Sequence, residues 1–479
     1  MSFDPWLRTA AFTALAVGLL AVGRPVYGAP EFRAGAATVN ITPPLGIEIN
    51  GGTAPVLATE VHDELHARAL VLDDGSIRLA WVTVDNCLMD RGILDAAKTL
   101  IFSRAGIPSN AVCISATHTH SAGSVTGVHL SEPDPEYRAW LPGRIADAVR
   151  MAANRLAPAE AGWGSGSVPQ HVFNRRIRIR SGASYTNLLG RPGDRVKMNW
   201  SSPEPSVDGE ASGPVDPEVF VLSLRHTDGR PLALLANYSL HYVGGVGPGH
   251  LSADYYGVFC DRVARNLKAG DADPPFVALM SNGTSADINN VDFRKERPKQ
   301  APYDQIRRVA DDVAAEVARV ERSLAYQHEV KLGAASIELE LVVRRPSPTE
   351  VDQARALLHG RTREELHTWP EFYAREQLIL ADYPETLSLP LQVFRVGDLR
   401  IVQWPGEIFA VTGLNLKRRH PEFPLFNISL ANGWFGYIPP PEQHALGSYE
   451  TWRGRTSPLE TNAIPRMTGA FEDLLRSLR

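Results

Sequence analysis

The chain has 479 residues, 44% of them hydrophobic, and its 49 basic and 54 acidic residues leave a formal net charge of −5. That length buries a core sufficient for one large domain or two to three ordinary ones. The charges are interspersed along the chain, which argues against recruitment of nucleic acid or of an anionic membrane surface.

Residues 1–28 stand apart. Arg8 precedes an apolar stretch from Ala10 to Val22, and Val26-Tyr27-Gly28 offers the small-residue pattern of a cleavage site after Gly28. This predicts a secretory signal peptide and a secreted or periplasmic protein, with an uncleaved N-terminal anchor as the alternative. Of the three cysteines, Cys87 and Cys113 lie in or at the ends of apolar runs, and Cys260 makes no CxxC pair. Buried free thiols are the expectation, with a Cys87–Cys113 bridge left open.

Beyond the leader, short apolar runs alternate with helical patterns. Strands are predicted over Ala67 to Leu72, Leu79 to Val84, Ala111 to Ser115, Val219 to Leu224, Leu232 to Ala236, Phe276 to Met280 and Arg400 to Trp404. Apolar residues recurring at three and four predict helices through Ile145, Val149, Ala152 and Leu156, and through Ile306, Val309, Val313, Val317 and Val320. A last helix is predicted near Met467 to Leu478. The fold class is therefore α/β, mixed β-sheets flanked by helices, in a single large domain over residues 29–479. The Gly-, Pro- and Ser-bearing stretch from Ser181 to Pro217 reads as a long excursion placed near the site as a lid.

Four of these apolar runs end in potential ligands. Cys113-Ile114-Ser115 leads to His118 and His120; Leu232 to Ala236 leads to His241; Ile401 to Trp404 leads to Glu407; Phe426 to Leu430 leads to Asn432, Gly433 and Tyr437. Binding residues gather at the carboxyl ends of strands in α/β sheets. In an extended segment alternate residues share a side, so His118 and His120 are expected to face one cavity with Thr119 turned away. Two histidines and a glutamate match the His2Glu set of a catalytic zinc site. Tyr437 does not follow from spacing. His62, Asp63 and His66 carry the spacing of a second metal site but are read first as surface or hydrogen-bonded groups. Asp85 and Asp254 are candidates for orienting a ligand imidazole.

The ordered set Ala34-Gly35-Ala36, Asn40-Ile41-Thr42-Pro43-Pro44-Leu45-Gly46, Ser115-Ala116-Thr117-His118-Thr119-His120-Ser121, Phe173-Asn174-Arg175-Arg176 and Pro405-Gly406-Glu407 resembles the catalytic domain of neutral/alkaline non-lysosomal ceramidases. The resemblance implies a Zn2+-dependent amidase that releases a fatty acid from the nitrogen of a sphingoid base. It implies zinc held by His118, His241, Glu407 and Tyr437, with His120, Arg175 and Tyr449 lining the reacting amide. Two departures stand out. Asn289, in Ala286-Asp287-Ile288-Asn289-Asn290, sits where the family has a functional serine, and the sequence ends soon after its last helix, without room for an immunoglobulin-like C-terminal domain.

The expectation is an exported zinc hydrolase cleaving an amide, in an N-acyl sphingosine or a related N-acyl compound, by a zinc-activated water, with Asn289 holding the substrate. Its partner is thus a small-molecule or lipid-like acylated substrate. The competing readings are a zinc hydrolase of an ester or glycosidic bond, and a catalytically silent binding protein that keeps the pocket.

Overall fold

The computed structural model describes residues 31–199, 206–270, 272–296 and 299–479. The expected signal peptide lies outside the described residues. Eight strands build the main sheet: β1 (Arg33–Asn40), β2 (His66–Asp73), β3 (Arg78–Val84), β4 (Val112–Ala116), β5 (Ala157–Ser167), β6 (Glu218–His226), β7 (Pro231–Tyr238) and β8 (Val277–Asn282). Their spatial order is β8-β7-β6-β5-β1-β2-β3-β4. Parallel pairs close each edge, β3 with β4 and β7 with β8, and the rest is antiparallel.

The centre of this sheet is its weakest seam. β1 and β5 pair through two residues each, Arg33 with Pro158 and Ala34 with Ala157. The half carrying β8 folds over the other, so that β8 touches β2, β3 and β4. Strands buried on both faces need near-continuous apolar runs, and β3, β4 and β7 have them.

Helices α1 (Arg91–Ala105) and α2 (Pro135–Asn154) pair with each other, and α2 packs along β1, β2 and β3. Both start at an aspartate whose carboxylate accepts a first-turn amide hydrogen: Asp90 from Ile93 N and Asp134 from Tyr137 N. On the other half, α3 (Asp254–Asn266) lies on β8, and α4 (Asp304–Glu321) lies on β5 and β6. The predicted stripe of Ile306, Val309, Val313, Val317 and Val320 is the buried face of α4.

A second sheet, β9 (Leu332–Val342), β10 (Thr386–Val396), β11 (Leu399–Gln403) and β12 (Leu425–Ile428), runs in that order, with β11 and β12 parallel. Between β9 and β10 the chain makes a helical hairpin, α5 (Pro348–Leu358) and α6 (Trp369–Ala381). Helix α7 (Ala410–Arg419) precedes β12, and the terminal α8 (Ala463–Ser477) covers β9 and β10. The chain is thus the expected α/β domain with mixed sheets flanked by helices.

Loops then bring strand ends together. Ser429 N donates to Asn282 O, Leu430 N to Gly406 O, Ala431 N to Trp404 O, and Asn432 N to Ile114 O, each at 2.8–3.0 Å. The segment 429–432 therefore ties the carboxyl ends of β4, β8 and β11 to one point. Asn432 completes the tie, its side chain accepting from Ile114 N and donating to Gln392 and Gln403.

The stretch after Ser181 is less irregular than expected. Val196–Met198 and Val207–Ala211 flank Arg176–Ile179 in a three-stranded sheet. Asp194 accepts a hydrogen bond from Trp452 Nε1 at 3.1 Å, pinning this segment beside α6. All three cysteines are buried and free, so no Cys87–Cys113 bridge forms.

Candidate metal centre

His118 lies just past β4, and its backbone has φ +77°. The strand therefore ends in a left-handed kink, and the expected extended alternation does not reach the histidines. The outcome is still the one expected. The Nε2 atoms of His118 and His120 lie 3.1 Å apart, while Thr119 turns away to donate to Ser252 O at 2.7 Å.

His241, past the end of β7, meets this pair from the opposite half of the sheet. Its Nε2 is 2.9 Å from that of His118. Glu407 arrives from the end of β11, its Oε2 at 3.5 Å from His118 Nε2 and 3.7 Å from His241 Nε2. Trp434 Nε1 donates to Glu407 Oε1 at 3.0 Å and so turns Oε2 toward the rings. That Oε2 is buried without a hydrogen-bond partner among the described residues.

Backbone carbonyls set the tautomers. His118 Nδ1 donates to Cys87 O at 2.7 Å, and His241 Nδ1 donates to Ser285 O at 3.0 Å. Each Nε2 then carries a lone pair, and both lone pairs face each other and a carboxylate oxygen. Burial disfavours an imidazolium at both rings, and it holds His120 well below the ordinary histidine range too, with His118 adding to the effect. Acceptors gathered this closely without a donor fit a cation, and His/His/Glu donors suit zinc. The residues present fit such an ion: the ligand atoms of His118, His241 and Glu407 converge, and Cys87, His118 and His120 form an overlapping second set.

Asp85 and Asp254 do not orient these rings. Asp85 binds Arg68 and the amide of His66, and Asp254 takes the amides of Val243, Gly244 and Tyr255. Carbonyl oxygens serve instead, Cys87 O from the loop after β3 and Ser285 O from the loop after β8. His62 stacks on Tyr303 at 3.6 Å, while Asp63 bonds Ser252 and Ala253, so these groups do not gather into a second ligand set.

Tyr437 stands beside Glu407 because Glu407–Ile408 and Tyr437–Ile438 form a parallel two-residue ladder with Glu407 opposite Tyr437. Gly406 permits this ladder: a Cβ there would meet Gly436 O at 2.8 Å. The Tyr437 ring lies parallel to that of His241, 6.4 Å away, and its oxygen accepts from Arg175 Nη2 at 3.2 Å. Burial and nearby Glu407 keep this phenol protonated.

Arg175 is 4% exposed, unlike Arg178 and Arg180 on the same stretch. Its Nε donates to Glu450 Oε1 at 2.9 Å, and Arg176 takes the other oxygen of the same carboxylate. Burial opposes the charge on Arg175, but Tyr437 and Glu450 outweigh it and hold the guanidinium protonated. Glu450 went unnoticed in the sequence; its one signal was an acidic residue next to Tyr449, answering the Arg175-Arg176 doublet.

His120 is held from two sides. Its ring stacks on Tyr242 at 3.7 Å, and Gly51, at φ +112°, passes so close that a Cβ would meet the ring at 2.5 Å. Tyr449 packs edge-on to Tyr437 at 5.5 Å. Asn289 pairs with Phe173 on the ladder next to Arg175, and its Oδ1 accepts from Val291 N and Asn290 Nδ2. Its side chain is thus turned into its own loop and is not among the groups that meet at the histidines.

No protein-family model matches the sequence, and no curated protein matches it. Solved structures do. The chain superposes on the crystal structure of neutral ceramidase from Pseudomonas aeruginosa with a TM-score of 0.70 at 17% identity, over 94% of this chain and 74% of that one. The fold is that of a neutral ceramidase. A ceramidase complexed with C2 gives a TM-score of 0.68 at 16% identity, over 94% and 75%. The likeness in fold thus extends over nearly the whole chain. No helix among the described residues is long and apolar enough to cross a membrane.

Proposed function

We propose that the chain is an exported, zinc-dependent hydrolase that cleaves the amide bond of an N-acyl sphingosine or a related N-acyl compound. The observation that carries this reading is the facing of the His118 and His241 Nε2 lone pairs, 2.9 Å apart, beside the unpartnered Oε2 of Glu407. His118, His241, Glu407 and, through its ladder position, Tyr437 would hold the metal. Zinc, when bound, supplies Lewis acidity and brings the pKa of a water to near ~7.

The chain's own groups then have separate tasks. His120, neutral and with Nε2 turned to the same point, takes a proton there and returns it to the leaving nitrogen. Arg175, fixed by Glu450, and Tyr449 stand where charge on the amide oxygen is answered by donors; one such donor is worth about 10²- to 10³-fold in rate. Asn289, in place of a serine, leaves no hydroxyl for acyl transfer at that position.

The likeness in fold and the intact ligand set support this reading over a silent binding protein. The test is metal analysis of the purified protein joined to a screen of fluorogenic amides, esters and glycosides with and without chelator. Chelator-sensitive cleavage of an amide is the expected result. Zinc-dependent cleavage confined to esters or glycosides would move the activity to another bond, and a metal-free, inactive protein would overturn the proposal.

A further inference from the structure

His129 lies outside every motif of the sequence, yet it is 4% exposed and sits behind Tyr449. Its backbone has φ +51°, and its carbonyl oxygen accepts from Arg375 and, at 3.0 Å, from Arg455 Nη2. Helix α6 and the segment after Tyr449 thereby hold the backbone that carries the ring. Its Nε2 is 3.0 Å from the Tyr449 oxygen, and its Nδ1 is buried without a partner among the described residues.

We propose that His129 is a positioning residue that donates its Nε2–H to the Tyr449 oxygen and so frees the phenol proton of Tyr449 to point at the reacting group. This rests on the hydrolase reading above. The ring has two neutral tautomers, and they differ in what they leave unpaired. With the proton on Nδ1, a buried donor is orphaned and the single Tyr449 proton is spent on Nε2. With the proton on Nε2, that donor is satisfied and a buried acceptor alone is orphaned, the arrangement folded proteins tolerate more readily. Burial holds the ring neutral, bringing its pKa to about 4 against the opposing pull of Glu376, with Arg455 and Arg375 adding to the lowering.

Tyr449 is placed to use the freed proton. Its ring bridges His129 and Tyr437, whose oxygen is already engaged by Arg175. Among the described residues the Tyr449 hydroxyl has His129 as its hydrogen-bond partner. The metal centre therefore receives a donor whose direction is set from behind.

Two measurements decide the matter. Long-range proton–nitrogen NMR correlations on ¹⁵N-histidine-labelled protein read the tautomer without any turnover: Nε2–H on His129 is expected, and Nδ1–H overturns the proposal. Kinetics on a fluorescent short-chain N-acylsphingosine read the role. Tyr449→Phe and His129→Leu should each lower kcat by about 10²-fold with KM little changed. His129→Gln, which keeps an N–H at a similar reach, should restore most of the rate, and the Tyr449→Phe/His129→Leu double variant should be no slower than Tyr449→Phe alone. Zinc content and thermal midpoint identify a variant that has unfolded, and Tyr449→Phe keeps the ring packing. Wild-type turnover indifferent to Tyr449→Phe, or losses that multiply in the double variant, would overturn the role and spare the hydrolase reading. A wild type with no turnover would instead remove the hydrolase reading, and the role with it, whatever the tautomer.

Discussion

At the strand ends, His118, His241 and Glu407 offer acceptors to one another with no donor between them, whereas beside Tyr437 the cations Arg175 and Arg176 divide one carboxylate, Glu450, between them. Both clusters are buried, and both are costly to build. The first gathers acceptors in an arrangement that suits a cation, which is why its groups are the proposed ligands. The second carries its own counter-charge, which holds Arg175 in place to reach Tyr437 while Arg176 is tied to Gln443 and Gly447.

Removing ligands should break the first cluster most severely. His118→Ala, His241→Ala and Glu407→Ala are each expected to lose most bound zinc and all measurable turnover while staying soluble, since open catalytic sites need not carry the fold. Metal content of the purified variants checks this, and full zinc retention in all three would sink the assignment. His120→Ala sharpens it: zinc should stay and turnover should fall by at least about 10²-fold. Loss of zinc there would make His120 a ligand.

The second cluster should fail in a different way. Glu450→Ala leaves two buried guanidinium groups unpaired and is expected to cost about 3–5 kcal/mol in stability, read by denaturant unfolding of the chelated protein. A cost below about 1 kcal/mol would mean that water or Gln443, which already accepts from Arg176, takes over the carboxylate's place.

Acid should separate the buried rings from the buried carboxylates. For a histidine whose folded pKa is depressed, the unfolded chain takes up its proton first, near pH ~6.5, so stability is lost as pH falls below that value toward the folded pKa. His129, at about 4, should lose about 2 kcal/mol between pH 6.5 and 5. Asp254 and Asp287 act with the opposite sign: burial raises each to about 6, and protonating them favours the folded chain over the same window. The expected observable is therefore a difference: unfolding of chelated wild type should weaken with acid more steeply than that of His129→Gln. Parallel profiles would show that His129 titrates normally.

The same contrast governs what was legible in the sequence. Strands buried on both faces announce themselves as unbroken apolar runs, so β2, β3, β4, β6, β7, β8 and β11 were readable within a few residues. So were the candidate ligands at their ends. β5, with Gly and Ser at every position but Trp163 from Gly162 on, lacks both alternation and apolar continuity and is held by its partners, while β9 alternates only in its second half, from Ile337 to Leu341. Tyr437 was named only through the resemblance, because a two-residue ladder, not a spacing, sets it beside Glu407. Glu450 and His129 were out of reach because a paired or orphaned buried group is visible only once its neighbours are assembled. The kink at His118 replaced the extended geometry expected of it, yet both rings reached the same point, since the loop after β4 is fixed at Thr119 and by Gly51.

The smallest effect is expected at Asn289, which belongs to neither cluster. Its Oδ1 is spent on Val291 N and Asn290 Nδ2, within its own loop. Asn290, in turn, binds the carbonyls of Tyr242 and Val243, and Tyr242 is the ring on which His120 stacks. Asn289→Ser therefore trades one local cap for another and adds a hydroxyl beside the Arg175 ladder without moving the ligands. Discrimination among acyl amides is spread over many pocket contacts, so one restored group should change the rate on long-chain ceramide by less than about tenfold. We expect wild type to hydrolyse long-chain ceramide poorly and a shorter or more polar N-acyl substrate better. Rates of wild type and Asn289→Ser on ceramide in detergent micelles, with chelator controls, check both statements. Efficient wild-type cleavage would mean that the asparagine stands in for the serine outright, and a rise of 10²-fold or more in the variant would place this loop's hydroxyl among the reacting groups.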